Sequence, residues 1–199
     1  IERNVLTIVF DLNGEYLNLW KEEENRPNKY SQVFRILKPG LSRATAFESP
    51  FLIPLNSISS GDFAHFFNVP EGSSTFQKIF QFWRNKRNTH FDLNDFETYA
   101  NNISNEAVKA ALIGRIEAAR ALRIFGPSNL TNTISYMSKN GGVLVINLAQ
   151  VGSWERGIVV DFVLRKLTQM GQSGTIQPIS LFLEESQLYI SQSKMINIL

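Results

Sequence analysis

The stretch "ISLFLEESQLYI" near the end of the chain places two adjacent carboxylates, Glu184 and Glu185, directly after the run Ile179, Leu181, Phe182 and Leu183. An apolar strand that ends in acids has a chemical use. Open α/β sheets bind ligands at the carboxyl edge of their strands. One carboxylate there can hold a hydrated magnesium ion through its waters, because Mg²⁺ is hard and keeps part of its shell. The next can orient or deprotonate a water that attacks phosphorus. The bland alternative is a strand end whose glutamates face water, and these residues alone leave both open. A second acidic strand end, "VFDLNGEY", carries Asp11 and Glu15. Asp11 can equally serve as a turn residue bonding its own backbone, and Glu15 as a solvated loop charge.

The elements that must position these acids are read from hydrophobic pattern. Residues 5–10, 143–149 and 179–183 are apolar on both faces, which predicts buried parallel strands of one sheet. Residues 30–37 fit a short strand, and residues 21–29, charged and broken by Pro27, a solvated loop. Helix starts are expected at Ser59 with Asp62, Ser74 with Gln77, Asn94 with Glu97, and Ser104. Phe76, Ile79, Phe80 and Trp83 have the spacing of one helical face. Residues 59–125 thus read as a helical block without a strand. A last helix is expected from a cap at Ser153 to Gly171. It carries Val159, Val160, Phe162, Val163, Leu167 and Met170 and forms a right-handed crossover between two strands.

Composition fits one globular domain: 199 residues, 43% hydrophobic, 19% charged, net charge +2. That charge alone does not argue for nucleic acid. The absence of cysteine excludes disulfides and thiolate metal sites and fits a reducing, cytoplasmic setting. No apolar run approaches the length of a membrane span. The chain opens on Ile1 and closes on "SKMINIL", which reads as an excised piece of a longer protein.

Taken in order, "TIVFDLNGEY", "FLIPLN", "SISSGDFAHFFNV", "VLVINLAQVGSWERGIVVDFVLRKL" and "ISLFLEESQLYI" resemble the HerA-like DNA-translocating ATPases of the HerA/FtsK group of P-loop motors. The resemblance is most specific at "FD-x-x-GEY" and at "EES-Q". Ser186 and Gln187 depart from the family's Ala-His there, and Leu12 stands where the family often has proline. The resemblance implies an α/β, RecA-like P-loop NTPase core with a mostly parallel sheet. Residues 1–199 would be a partial ATPase domain with a helical insert at about 59–125. It implies ATP and Mg²⁺ as cofactors, Glu184 on the magnesium side, Glu185 as the catalytic carboxylate that activates water, and Asp11 and Glu15 near the nucleotide. It also implies DNA as partner, self-association into a ring (a hexamer), a partner nuclease, and no membrane. The phosphate-binding pattern G-x-x-x-x-G-K-S/T occurs nowhere among the twelve glycines. In the family it precedes the first of these strands, so this chain alone is expected to be inactive. The rival reading is a non-catalytic α/β assembly or DNA-docking module.

Other candidates carry less. His65, among phenylalanines, and His90 have no convergent partner for a metal. "FWRNKRNTH" joins Arg84, Lys86 and Arg87 to Trp83, a mixture that suits a phosphate backbone or simply the cationic end of a helix. Arg115, Arg120 and Arg123 read as the polar face of a helix. Arg156 could reach a phosphate or pair with Glu155 or Asp161.

Overall fold

The computed structural model describes residues 5–22, 26–41, 43–58, 69–70 and 72–185. The expected helix start at Ser59 and Asp62, His65, Ser186, Gln187 and the "SKMINIL" tail lie outside them. The chain divides into two compact units, Ile1–Phe51 with Asn129–Leu199, and Leu52–Ser128.

The first unit is built on a five-stranded sheet in the order β3-β2-β4-β1-β5, and every pairing in it is parallel. The strands are β1 (Leu6–Asp11), β2 (Phe34–Lys38), β3 (Glu48–Pro50), β4 (Gly142–Asn147) and β5 (Ser180–Leu183). The three double-sided apolar runs are therefore parallel strands of one sheet. β1 is the strand with neighbours on both sides that unites them: Leu6 to Asp11 lie opposite Gly142 to Asn147, and Thr7 to Phe10 opposite Ser180 to Leu183. The connection from β4 to β5 consequently passes across β1. Leu6, Ile8, Phe10, Leu144, Val145 and Ile146 are essentially inaccessible, as a strand packed on both faces requires.

β5 corrects the expectation of a third fully buried strand. It lies at the end of the sheet, with Leu181 42% and Phe182 58% exposed. The strand expected at 30–37 begins with a 3-10 turn, Ser31–Val33, and only then becomes β2. Two elements of this unit were not expected, β3 and the helix Leu130–Asn140, which packs on β1 and β4. The long helix Ser153–Gln172 buries Val159, Val160, Phe162, Val163, Leu167 and Met170. Its N-cap is Gly152, not Ser153, and Glu155 folds back over that glycine. It does not stop at Gly171: Gly174, at φ 67°, follows its C-cap Ser173.

Among the described residues the second unit holds three α-helices, α1 (Ser74–Lys86), α2 (Leu93–Asn101) and α3 (Glu106–Leu122). With these named, the helices of the first unit are α4 (Leu130–Asn140) and α5 (Ser153–Gln172). The caps differ from those expected by one or two residues. Ser73 accepts from the Phe76 N–H, Asp92 forms a capping box with Asp95, and Asn105 accepts from the Val108 N–H. In each case a neighbouring Ser, Asn or Asp competes for the same role. α3 carries the expected pairs, Lys109 with Glu106 at 3.8 Å and Arg120 with Glu117 at 2.6 Å. Arg120 also binds Glu97 on α2, and that bond raises its already high pKa. The residues of α1 with the spacing of one face differ in burial. Ile79 and Phe82 are buried, Phe82 packing on Phe91, Phe96 and Tyr99, whereas Phe80 is 40% exposed.

Candidate functional site at the carboxyl edge of the sheet

β1 and β4 each end in one buried polar residue, Asp11 and Asn147, which lie opposite one another in register. A buried carboxylate needs donors, and Asp11 finds three in the turn that follows it. Its Oδ1 accepts from the N–H groups of Gly14 (2.7 Å) and Glu15 (3.0 Å), and its Oδ2 from Tyr16 (3.3 Å). Gly14 takes φ 79°, which lets the chain fold back over the carboxylate. Asp11 is thus a turn residue bonding its own backbone, and Glu15, exposed, opens the 3-10 turn Glu15–Asn18. Asn147 does the equivalent for β4, its Oδ1 accepting from the Ala149 N–H at 3.0 Å. Sequence reasoning passed over Asn147, though "INLA" shows the same signal as "VFDL": one polar residue closing a double-sided apolar strand.

The paired glutamates follow β5 directly, and the backbone turns there. Leu183 is the last strand residue, and Glu185 has φ 44°, a left-handed conformation. For a residue other than Gly, Asn or Asp this costs about 1 kcal/mol, and such strain concentrates at functional sites. The strict two-face alternation of a strand therefore does not apply, and the two side chains have separate surroundings. Glu184 is half-buried and crosses to the neighbouring strand end, its Oε2 accepting from the Leu12 N–H at 2.9 Å. The Tyr16 hydroxyl also donates to Glu184. Glu185 is exposed.

Tyr16 was not singled out from the sequence, although it is the last residue of "FD-x-x-GEY". Its ring packs with Leu17 and Trp20 against the cluster of Val9, Phe34, Ile36 and Val145, so the body is anchored and the hydroxyl delivered. Its pKa is raised above 10.0, first by the charge of Glu184, then by burial, by the hydrogen bond to Glu184 and by the charges of Glu15 and Asp11. A group that holds its proton more tightly when folded stabilises the fold below its unfolded pKa and loses that contribution as pH rises through the folded one. Melting temperature should therefore fall on going above pH 10, and fall less in Tyr16→Phe. Equal losses in both proteins from pH 8 to 11 would show that the hydroxyl is not bonded.

Arg156 does not form the local pair with Glu155 or Asp161 among the described residues. It holds the loop after β4, donating to the carbonyls of Val151 (2.7 Å) and Ala149 (3.4 Å), while Asp161 pairs with Arg165. Among the described residues no three or more His, Cys, Asp or Glu gather as a metal cluster, and no helix is long and apolar enough to cross a membrane. What the edge offers instead is hard oxygen on one tethered carboxylate beside one exposed carboxylate. That donor set fits a magnesium ion that keeps most of its own water.

The five-stranded parallel sheet with its helices is an α/β fold, consistent with a P-loop NTPase core. The family model described as Helicase HerA, central domain, matches residues 1–167, and the chain belongs to that family. The match covers β1 to β4 and most of α5 and ends before β5 and its glutamates. No curated protein matches the chain.

Proposed function

We propose that this chain is part of the motor domain of a HerA-like ATPase that translocates or unwinds DNA as a ring, and that it carries the acidic half of the ATP site. The partial ATPase domain spans residues 1–199, with a helical insert at about 59–125. Membership of the HerA family supports an ATPase parent. The observation that carries the site assignment is the tether of Glu184 to the Leu12 N–H, which joins the two acid-bearing strand ends.

In this reading Glu184 holds the hydration shell of Mg²⁺, and Leu12 and Tyr16 fix its direction. When bound, the ion would supply positive charge against the phosphates. Glu185, exposed and turned out of the strand, accepts the proton of the attacking water. Asp11 shapes the turn that carries Glu15 and Tyr16 toward the site. The phosphates themselves need backbone donors and a lysine from the G-x-x-x-x-G-K-S/T loop, which this sequence lacks.

The test uses the full-length parent. Glu184→Gln retains an oxygen to accept from Leu12 and Tyr16 but removes the charge. ATP affinity measured across magnesium concentrations should lose most of its magnesium dependence. An unchanged dependence would remove Glu184 from the metal site and favour the non-catalytic module.

A further inference from the structure

The outward face of α1 carries groups that the core does not use. Phe76 and Phe80 lie parallel, ring centres 6.5 Å apart and 7° between planes. They belong to a groove completed by Gln77, Gln81, Arg84 and Asn85. Arg84 and Arg87 continue the Phe76–Phe80 line at helical spacing, since residues three and four apart share a face. The Arg87 guanidinium lies over the Trp83 ring, 5.7 Å from its centre, and the indole is itself fixed by a hydrogen bond to the Ile58 carbonyl at 3.1 Å. This helix is anchored on its other side by Ile79 and Phe82, so the aromatic shelf is not a misassigned core face.

Charge decides what the shelf suits. From Gly72 to Phe91 there is no Asp or Glu, and the cations are Lys78, Arg84, Lys86 and Arg87. None of them forms an ion pair among the described residues, whereas Lys109, Arg120 and Arg165 all do. A second copy of the chain seated here would bring the same cations against each other. A polyanion with flat faces satisfies both features at once.

We propose that the α1 face is a docking strip for single-stranded DNA. Phe76 and Phe80 stack on unpaired bases, Arg84 and Arg87 hold the phosphates, and the amides of Gln77, Gln81 and Asn85 bond base edges. Duplex DNA hides its base faces and cannot use the shelf. The choice of DNA over RNA rests on the function proposed above; the stacking and charge do not.

The experiment is fluorescence anisotropy of a labelled oligo(dT) on the whole chain, without nucleotide, over a series of salt concentrations. Phe80, Arg84 and Arg87 are exposed, so their variants should melt as the unsubstituted chain does. Arg84→Ala with Arg87→Ala should weaken binding about tenfold and reduce the salt slope by about 1.4, two phosphates at about 0.7 each. Phe80→Ala should weaken it about tenfold with the slope unchanged, and Phe80→Trp should restore it. The proposal is overturned if the unsubstituted chain does not bind, if the variants bind as it does, or if oligo(U) or duplex DNA binds more tightly. A dimer that dissociates in Phe80→Ala would also overturn it, since the occupant would then be a second copy. Because the assay contains no ATP, its failure leaves the glutamate assignments untouched, and their failure leaves this strip untouched.

Discussion

Glu185→Gln in the full-length parent is expected to lower ATP turnover by about 100-fold or more while ATP still binds. Glutamine keeps the length and shape of the side chain and removes only its basicity. The backbone strain at φ 44° is the same for both residues, so the substitution changes chemistry with little change in stability. Glu185→Gly supplies the contrast. It should be as inactive, yet more stable in the turn, because glycine adopts the left-handed conformation without the Cβ clash. Steady-state turnover and ATP binding measured together make the decision. Near-normal turnover in Glu185→Gln would reduce the pair to the wet end of a strand.

The second large effect concerns the join of β2 and β4. Gly142 opens β4 at φ 131°, and a Cβ built there would lie 2.3 Å from the backbone carbonyl oxygen of Val33. A flexible side chain could move aside, but this obstacle is main chain entering β2. Gly142→Ala must distort its own backbone or shift the register that pairs Phe34 with Val143. Strain and overpacking together are expected to cost about 3 kcal/mol or more, a large part of a typical domain's stability. Gly114→Ala is the control. It lies in α3 with nothing near the added methyl and should gain about 0.5–1 kcal/mol from helix propensity. Urea unfolding of the three proteins tests both. Equal midpoints for Gly142→Ala and the unsubstituted chain would mean that β4 does not approach Val33 so closely.

Much of the sheet was legible because parallel strands buried on both faces leave unbroken apolar runs, as in "LTIVFD" and "GVLVIN". β3 left no such trace: it is three residues, Glu48–Pro50, held as a strand by its register with Ile36 to Lys38. α4 was hidden by its composition. "LTNTISYMSKN" is rich in Thr, Ser and Asn, poor helix formers, and buries only Leu130, Ile134, Met137 and Ser138. The exposure of β5 could not be read from its apolar sequence, since exposure depends on which strand lies beside it. The same holds for the outward Phe80, whose spacing from Phe76 fits a buried or an exposed stripe equally well. At the site, the residue types were visible, but the tether from Glu184 to Leu12 joins residues distant in the chain. No local pattern announces such a bond, or the role it gives Tyr16.

The strand order also sets a timetable for synthesis. β1 is made before the Leu52–Ser128 unit, yet both of its partners, β4 and β5, are made after it. The apolar "LTIVFD" strand therefore waits, unpaired, while the whole Leu52–Ser128 unit is translated. That unit is contiguous and largely helical, so its contacts are local and it can form first. The sheet closes last, by long-range pairing that is slow and leaves strand edges open to other chains. Slower growth at lower temperature, or a chaperone that shields extended apolar segments, should accordingly raise the soluble yield of this protein more than any change to its surface charge.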